Sequence, residues 1–185
     1  KGELMNIDEI KNMANLTIDQ MVNGILQHKP ADKQYLNAQD IDYLGHQIEG
    51  FCVCNYGTVP RQVQSAILMG KAVIANDFGT KVSLAKQVIG IAGSAAGLYA
   101  ILTGVATILG WGSGVVTSVV AFFCGVSMSG PLGIIAIGSA AMALAGYLMF
   151  TNIPEEVLSR KAVETIRESI IYSLPEMMAE YPRKH

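Results

Sequence analysis

Residues 87–154 contain no Asp, Glu, Lys, Arg or His. The last charge before this stretch is Lys86 and the first after it is Glu155. A run of that length without an ionisable group excludes an ordinary solvated surface along it. It belongs in a protein core or in a bilayer, or it moves between the two. Cysteine is also scarce: Cys52, Cys54 and Cys124 are the only three. That excludes a disulfide-stapled secreted scaffold. Cys52 and Cys54 are too close in sequence for an ordinary structural bridge, and Cys124 lies inside the uncharged run, where a thiol serves as a small hydrophobe.

An excess of charge of one sign is missing as well. The formal net charge is −2, with eight basic and nine acidic residues in 1–86 and five and six in 155–185. No basic stripe is available to neutralise phosphates, so nucleic-acid binding has no electrostatic support. No polybasic cluster would hold the chain on an anionic membrane. The segment Lys1-Gly-Glu-Leu-Met has no apolar core of the kind a signal peptide needs, so a protein that leaves its producing cell is expected to do so by a specialised route or as part of a longer polypeptide.

What is present is apolar residues at 51% against 15% charged, a composition between that of a soluble domain and that of an integral membrane protein. The 185 residues read as one helical domain in three blocks: amphipathic helices in 1–86, uncharged apolar helices in 87–154, and a closing amphipathic helix and tail in 155–185. Asn6 with Glu9 three residues on has the form of a capping box. Behind it Ile7, Ile10, Ala14, Ile18, Met21 and Ile25 make a helical stripe, which Lys29-Pro30 ends. Asn37 caps a second helix with Ile41, Leu44, Ile48 and Phe51 on one face, stopped at Asn55-Tyr56-Gly57. Thr58 and Pro60 open a third, with Val63, Ile67, Gly70 and Ile74 aligned. A turn at Asn76-Asp77-Phe78-Gly79 leads through Lys81 and Lys86 into the uncharged region. After it, Val163, Ile166, Ile170 and Leu174 form the face of a last helix, which Pro175 is expected to break or kink. The four amphipathic helices are expected at 7–28, 38–53, 59–76 and 155–174. No strand alternation persists, so the fold class is all-α: a bundle of amphipathic helices around a buried hydrophobic helical hairpin.

Glycine punctuates the uncharged region, which holds twelve of the nineteen glycines. Three apolar pieces result, at 88–109, 115–128 and 132–150, separated by Gly110-Trp111-Gly112-Ser113-Gly114 and by Ser129-Gly130-Pro131. A spanning helix needs about 20 apolar residues, which the first and third pieces supply and the second does not. The connections carry no charge, and the nearest basic residues lie outside the whole block, Lys81 and Lys86 before it and Arg160, Lys161 and Arg167 after it. Basic flanks on both sides favour an even number of crossings. Gly93 and Gly97, then Ala96, Ala100 and Gly104, then Gly138, Ala141 and Ala145 beside Gly146, set small residues in helical register for close helix packing. Trp111, between two glycines, is placed either as an anchor at a membrane interface or as a plug at a helix junction.

Chemistry-bearing patterns are weak. His46, Cys52 and Cys54 lack the spacing and the fourth ligand of a zinc site. Gly110, Gly112 and Gly114 lack the Lys and the strand–turn–helix setting of a phosphate loop. Asp40, Asp42 and Glu49 read as the solvated face of a helix. No activated nucleophile is apparent, so neither an enzyme nor a cofactor or metal site is expected.

Amphipathic helices, then a charge-free helical hairpin turning at small residues, then a closing amphipathic helix, together resemble the pore-forming domain of colicins and related bacterial membrane-inserting toxin domains. The resemblance is one of architecture over most of the chain. The uncharged region here is longer than one hairpin, and the amphipathic helices are fewer. The hairpin would be 115–128 and 132–150, with Val115, Phe122, Phe123, Leu132, Ile135, Leu148 and Phe150 entering lipid and Ser129, Gly130 and Pro131 at its turn. Gly93, Gly97, Gly104, Gly138 and Gly146 would serve helix packing. The resemblance implies a protein delivered from a bacterium that depolarises a target membrane. Its implied partners are the bilayer, a membrane immunity protein in the producer, and other copies in the membrane. Two alternatives stand beside it. One is a constitutive small membrane protein with two or three spans, of a scaffold or immunity type. The other is a soluble helical module holding a lipid.

Overall fold

The computed structural model describes residues 6–75, 80, 83–84, 87–88, 91 and 154–181. Four helices account for most of them: α1 (Ile7–Leu26), α2 (Ala38–Tyr56), α3 (Arg61–Ile74) and α4 (Glu155–Glu180). No strand occurs among the described residues. Thr80, Ser83, Leu84, Gln87, Val88 and Ile91 are also helical, and Val88 is fully buried.

Local chemistry explains the boundaries. The Asn6 side chain accepts from the N–H of Asp8 while the Glu9 carboxylate accepts from the N–H of Asn6, so α1 begins on a capping box. Asn37 and Asp40 do the same reciprocally for α2, at 2.9 and 2.8 Å. Gly57 ends α2 at φ 76°, a left-handed geometry that suits glycine, and its N–H bonds the carbonyl of Val53 at 2.8 Å. Pro60 and Pro154 stand before α3 and α4, where a missing N–H costs nothing. Glu155 and Glu156 lie in the first turn of α4, at the positive end of its dipole.

The apolar stripes of these helices meet one another. Ile41, Leu44, Ile67 and Ile166, one or two from each of α2, α3 and α4, are at most 2% exposed and form the centre of the core. α1 adds Ile10, Ile18 and Ile25. α4 touches all three other helices, and its contact with α3 is the most extensive in the bundle.

Polar contacts set the directions. Arg61, at the start of α3, reaches Glu176 and Glu180 at the end of α4, whereas Gly70, late in α3, meets Ala162 and Ile166 early in α4. The two helices are therefore antiparallel. Asp42 with Lys71, and Gly45 against Ile67, make α2 antiparallel to α3. Asp19 pairs with Arg167, and Val22 and Leu26 face Ser159 and Val163. α1 thus runs against α4, and the four helices alternate up and down.

Two expectations are corrected. Pro175 does not end α4, which continues to Glu180. One backbone N–H is lost there, but the last turn is held from outside by Arg61 and Gln62 and by the burial of Met177. Phe51 does not share the buried face of α2. It is 41% exposed, and Cys52, 4% exposed, takes the core position.

Candidate functional site

The residues proposed for membrane insertion (Val115, Phe122, Phe123, Ser129, Gly130, Pro131, Leu132, Ile135, Leu148 and Phe150), the packing glycines (Gly93, Gly97, Gly104, Gly138 and Gly146) and Trp111 all lie outside the described residues. What the structure describes is the helical frame on either side of the uncharged region in sequence. Because α3 and α4 are antiparallel, Ala75 at the exit of α3 and Pro154 at the entry of α4 stand at the same end of that pair. The chain leaves α3 and rejoins at α4 on one side of the bundle.

The α3–α4 seam itself is close and unusually polar. A Cβ on Gly70 would lie 2.6 Å from Ile166 Cδ1 and 3.2 Å from the carbonyl oxygen of Ala162, so only glycine fits between the helices. Elsewhere along the two helices α4 buries Ser159, Ala162, Thr165, Ser169 and Ser173, and α3 buries Gln62, Ser65 and Ala66. Some of these polar groups are partnered. Ser159 Oγ accepts the N–H of Leu36 at 2.8 Å, tying the α1–α2 connection to α4, and Ser173 Oγ donates to the carbonyl of Ser169 at 2.8 Å. Others are not. Ser65 Oγ, Thr165 Oγ1, Ser169 Oγ and Gln62 Oε1 are buried with no hydrogen-bond partner among the described residues.

Ion pairs lie across the helix boundaries. Arg61 Nη2 donates to Glu176 Oε1 at 2.8 Å and to Glu180 Oε1 at 2.6 Å, and Gln62 Nε2 donates to Glu180 Oε2 at 3.2 Å. The Arg61 hydrogen bond, helped by Gln62, holds the Glu180 carboxyl below its ordinary range. Lys71 Nζ stands 2.6 Å from Asp42 Oδ1, and that hydrogen bond lowers the Asp42 carboxyl likewise. Arg167 pairs with Asp19 between α4 and α1, and Lys29 with Asp40 ahead of α2. Solvent screens the exposed pairs, so each is individually weak. All of these pairs except Lys29 with Asp40 join different helices.

Among the described residues, clefts open at two places on the bundle. One, of about 670 Å³, lies between α1, the segment 34–36 and α4, with Val22, Leu26 and Val163 as apolar lining and Arg160, Arg167 and Glu164 among its polar groups. The other, of about 280 Å³, is a mostly apolar groove between α1, α2 and α4, with Met13 and Phe51 partly exposed along it.

The remaining candidate groups are dispersed. His46 is exposed and stands near Asp42 and Glu49, Cys52 is buried and Cys54 exposed. Burial, and then the nearby Glu49 charge, push the Cys52 thiol up to about 11, so it stays protonated at neutral pH. Asp40 serves the α2 cap and Lys29, while Asp42 serves Lys71. Among the described residues no group of three or more His, Cys, Asp or Glu could hold a metal ion. Among the same residues no helix is long and apolar enough to cross a membrane. The polar seam was not anticipated from the sequence. Its signal was the small and hydroxyl residues Ser159, Ala162, Thr165, Ser169 and Ser173 at spacings of three and four beside the Ile stripe of α4.

No protein-family model, curated protein or solved structure matches the chain. The fold and the seam define an all-α bundle whose class rests on its own geometry.

Proposed function

We propose that this chain is a pore-forming or membrane-depolarising bacterial toxin domain that inserts its uncharged hairpin into a target membrane. The observation that carries the proposal is the shared end of Ala75 and Pro154 in a bundle whose intervening sequence is charge-free through residues 87–154. In this reading the segment between two helices that end and begin on the same side of the frame crosses a bilayer and returns, in keeping with its basic flanks. The frame has what such a device needs on the water side: charged outer faces, a core of its own, and individually weak ion pairs between helices. In this scheme the amphipathic helices spread on the interface, the hairpin enters the hydrocarbon, and ion flow collapses the membrane potential.

Efflux from dye-loaded or potential-clamped liposomes tests the proposal, using protein purified without detergent at pH values from about 4 to 8, which bracket the carboxylate and His ranges. Release of dye or loss of the potential is expected. Sealed vesicles over the whole range would overturn it, and a bound lipid found by native mass spectrometry in that case would point to a carrier. A chain that is monodisperse only in detergent would instead favour a constitutive membrane protein.

A further inference from the structure

We propose that residues 176–180, the last turn of α4, form a strap hinged at Pro175 that closes one end of the apolar groove between α1, α2 and α4, and that this strap opens while the rest of the bundle stays folded. The inference stands independently of the pore-forming function proposed above.

The hinge is written into the chain. Proline has no N–H to offer the carbonyl of Ile171, and its ring crowds that carbonyl, so α4 is weakest where its last turn begins. Beyond Pro175 little holds that turn. Met177, 3% exposed, is its one buried residue, while Glu176, Met178, Ala179 and Glu180 are exposed. Among the described residues its side-chain hydrogen bonds to other helices all reach one step of α3. Arg61 Nη2 donates to Glu176 Oε1 and Glu180 Oε1, and Gln62 Nε2 donates to Glu180 Oε2. One apolar side chain and a few solvent-screened polar contacts leave the turn with low local stability.

What the strap covers follows from the up-and-down order. The last turn of α4 stands with the start of α1, the end of α2 and the start of α3, at the end of the bundle away from Ala75 and Pro154. There the groove is lined by Ile10 of α1, Cys52 and Tyr56 of α2, Val63 of α3 and Met177 of the strap. When the strap swings out it takes Met177 with it, and that end of the groove meets solvent. Cys52 reports the event. In the closed bundle it is 4% exposed, and burial pushes its thiol up to about 11. Opening returns the thiol to water and to ordinary reactivity.

Thiol labelling of the full chain tests this, with Cys54→Ser and Cys124→Ser leaving Cys52 as the one cysteine. Iodoacetamide should modify Cys52 at a rate that stays level with urea below the unfolding transition, the mark of a local opening. Arg61→Ala should raise that rate roughly two- to fivefold, the scale set by losing screened ion pairs. Pro175→Ala, at an exposed position, should lower it severalfold by restoring the missing backbone hydrogen bond. A change in stability spread over the whole bundle would act through the urea-dependent route instead. Labelling that rises with urea as steeply as global unfolding overturns the strap, and so does a level rate that the two substitutions do not move in these directions. Should Arg61→Ala fail to fold, the urea dependence and Pro175→Ala still decide.

Discussion

At the scale of single residues, glycine separates what the helices need from what the packing needs. Gly50 and Gly70 both sit inside helices. A Cβ on Gly50 would meet nothing within 4 Å, whereas one on Gly70 would collide with Ile166. The same substitution should therefore act with opposite sign. Gly50→Ala is expected to stabilise by up to about 1 kcal/mol through lower backbone entropy in the unfolded chain. Gly70→Ala is expected to destabilise by about 1–3 kcal/mol, the range for overpacking. Urea midpoints of the two variants check the pair, and a Gly70→Ala protein as stable as its parent would mean that the seam is loose. The sequence revealed Gly70 as a member of an apolar face but not as the point of closest approach, because that depends on which helix lies opposite. The caps were more legible. Asn6 with Glu9 and Asn37 with its following turn act through neighbours a few residues away, so short-range spacing suffices to find them.

At the scale of elements, α4 is the helix that sequence periodicity described least well. Ile166, Ile170 and Leu174 are buried as their spacing predicts, but the serines and Thr165 beside them are buried too, since α4 packs against three helices and a single stripe cannot serve them all. Its last turn, beyond Pro175, depends on Arg61. That dependence has a pH signature. Glu180 and Asp42 titrate below their ordinary values of 4.5 and 3.8 in the folded chain, so on acidification the unfolded chain takes up protons first. Their contribution is fully present above the ordinary values and is lost as pH falls through the lowered ones. Denaturant midpoints should accordingly decline below about pH 4.5, within the carboxylate range, and Arg61→Ala should flatten part of that decline while fraying the end of α4. An unchanged acid profile in Arg61→Ala would show that the clamp contributes nothing measurable.

At the scale of the whole molecule, the all-α class was legible because apolar residues recur at helical spacings of three and four and no strand alternation persists. The up-and-down pairing was not, since Arg61 with Glu180 and Asp19 with Arg167 are more than a hundred residues apart and no local signal links them. That pairing makes a strong prediction. With Ala75 and Pro154 at one end of adjacent helices, residues 76–153 can be replaced by a linker of about eight Gly and Ser residues, which reaches roughly 15 Å, enough for packed helices about 8–10 Å apart. The shortened chain should remain a cooperatively unfolding helical monomer by circular dichroism and should release no dye from liposomes. A shortened chain that is unfolded or aggregated would mean that the frame has no independent core.

The position of α4 at the hub of the bundle also bears on how the chain is made. Ribosomes deliver α1, α2 and α3 first and then the whole uncharged region, and only afterwards the helix that joins them. Ile166, Ile170 and Ser159 are therefore missing during the interval in which the most apolar sequence of the protein is newly synthesised. Nascent chains fold from the N-terminus as they emerge and are prone to aggregate while incomplete. Biosynthesis of this protein thus includes a stage in which the uncharged segment has been made and the helix that completes the frame has not.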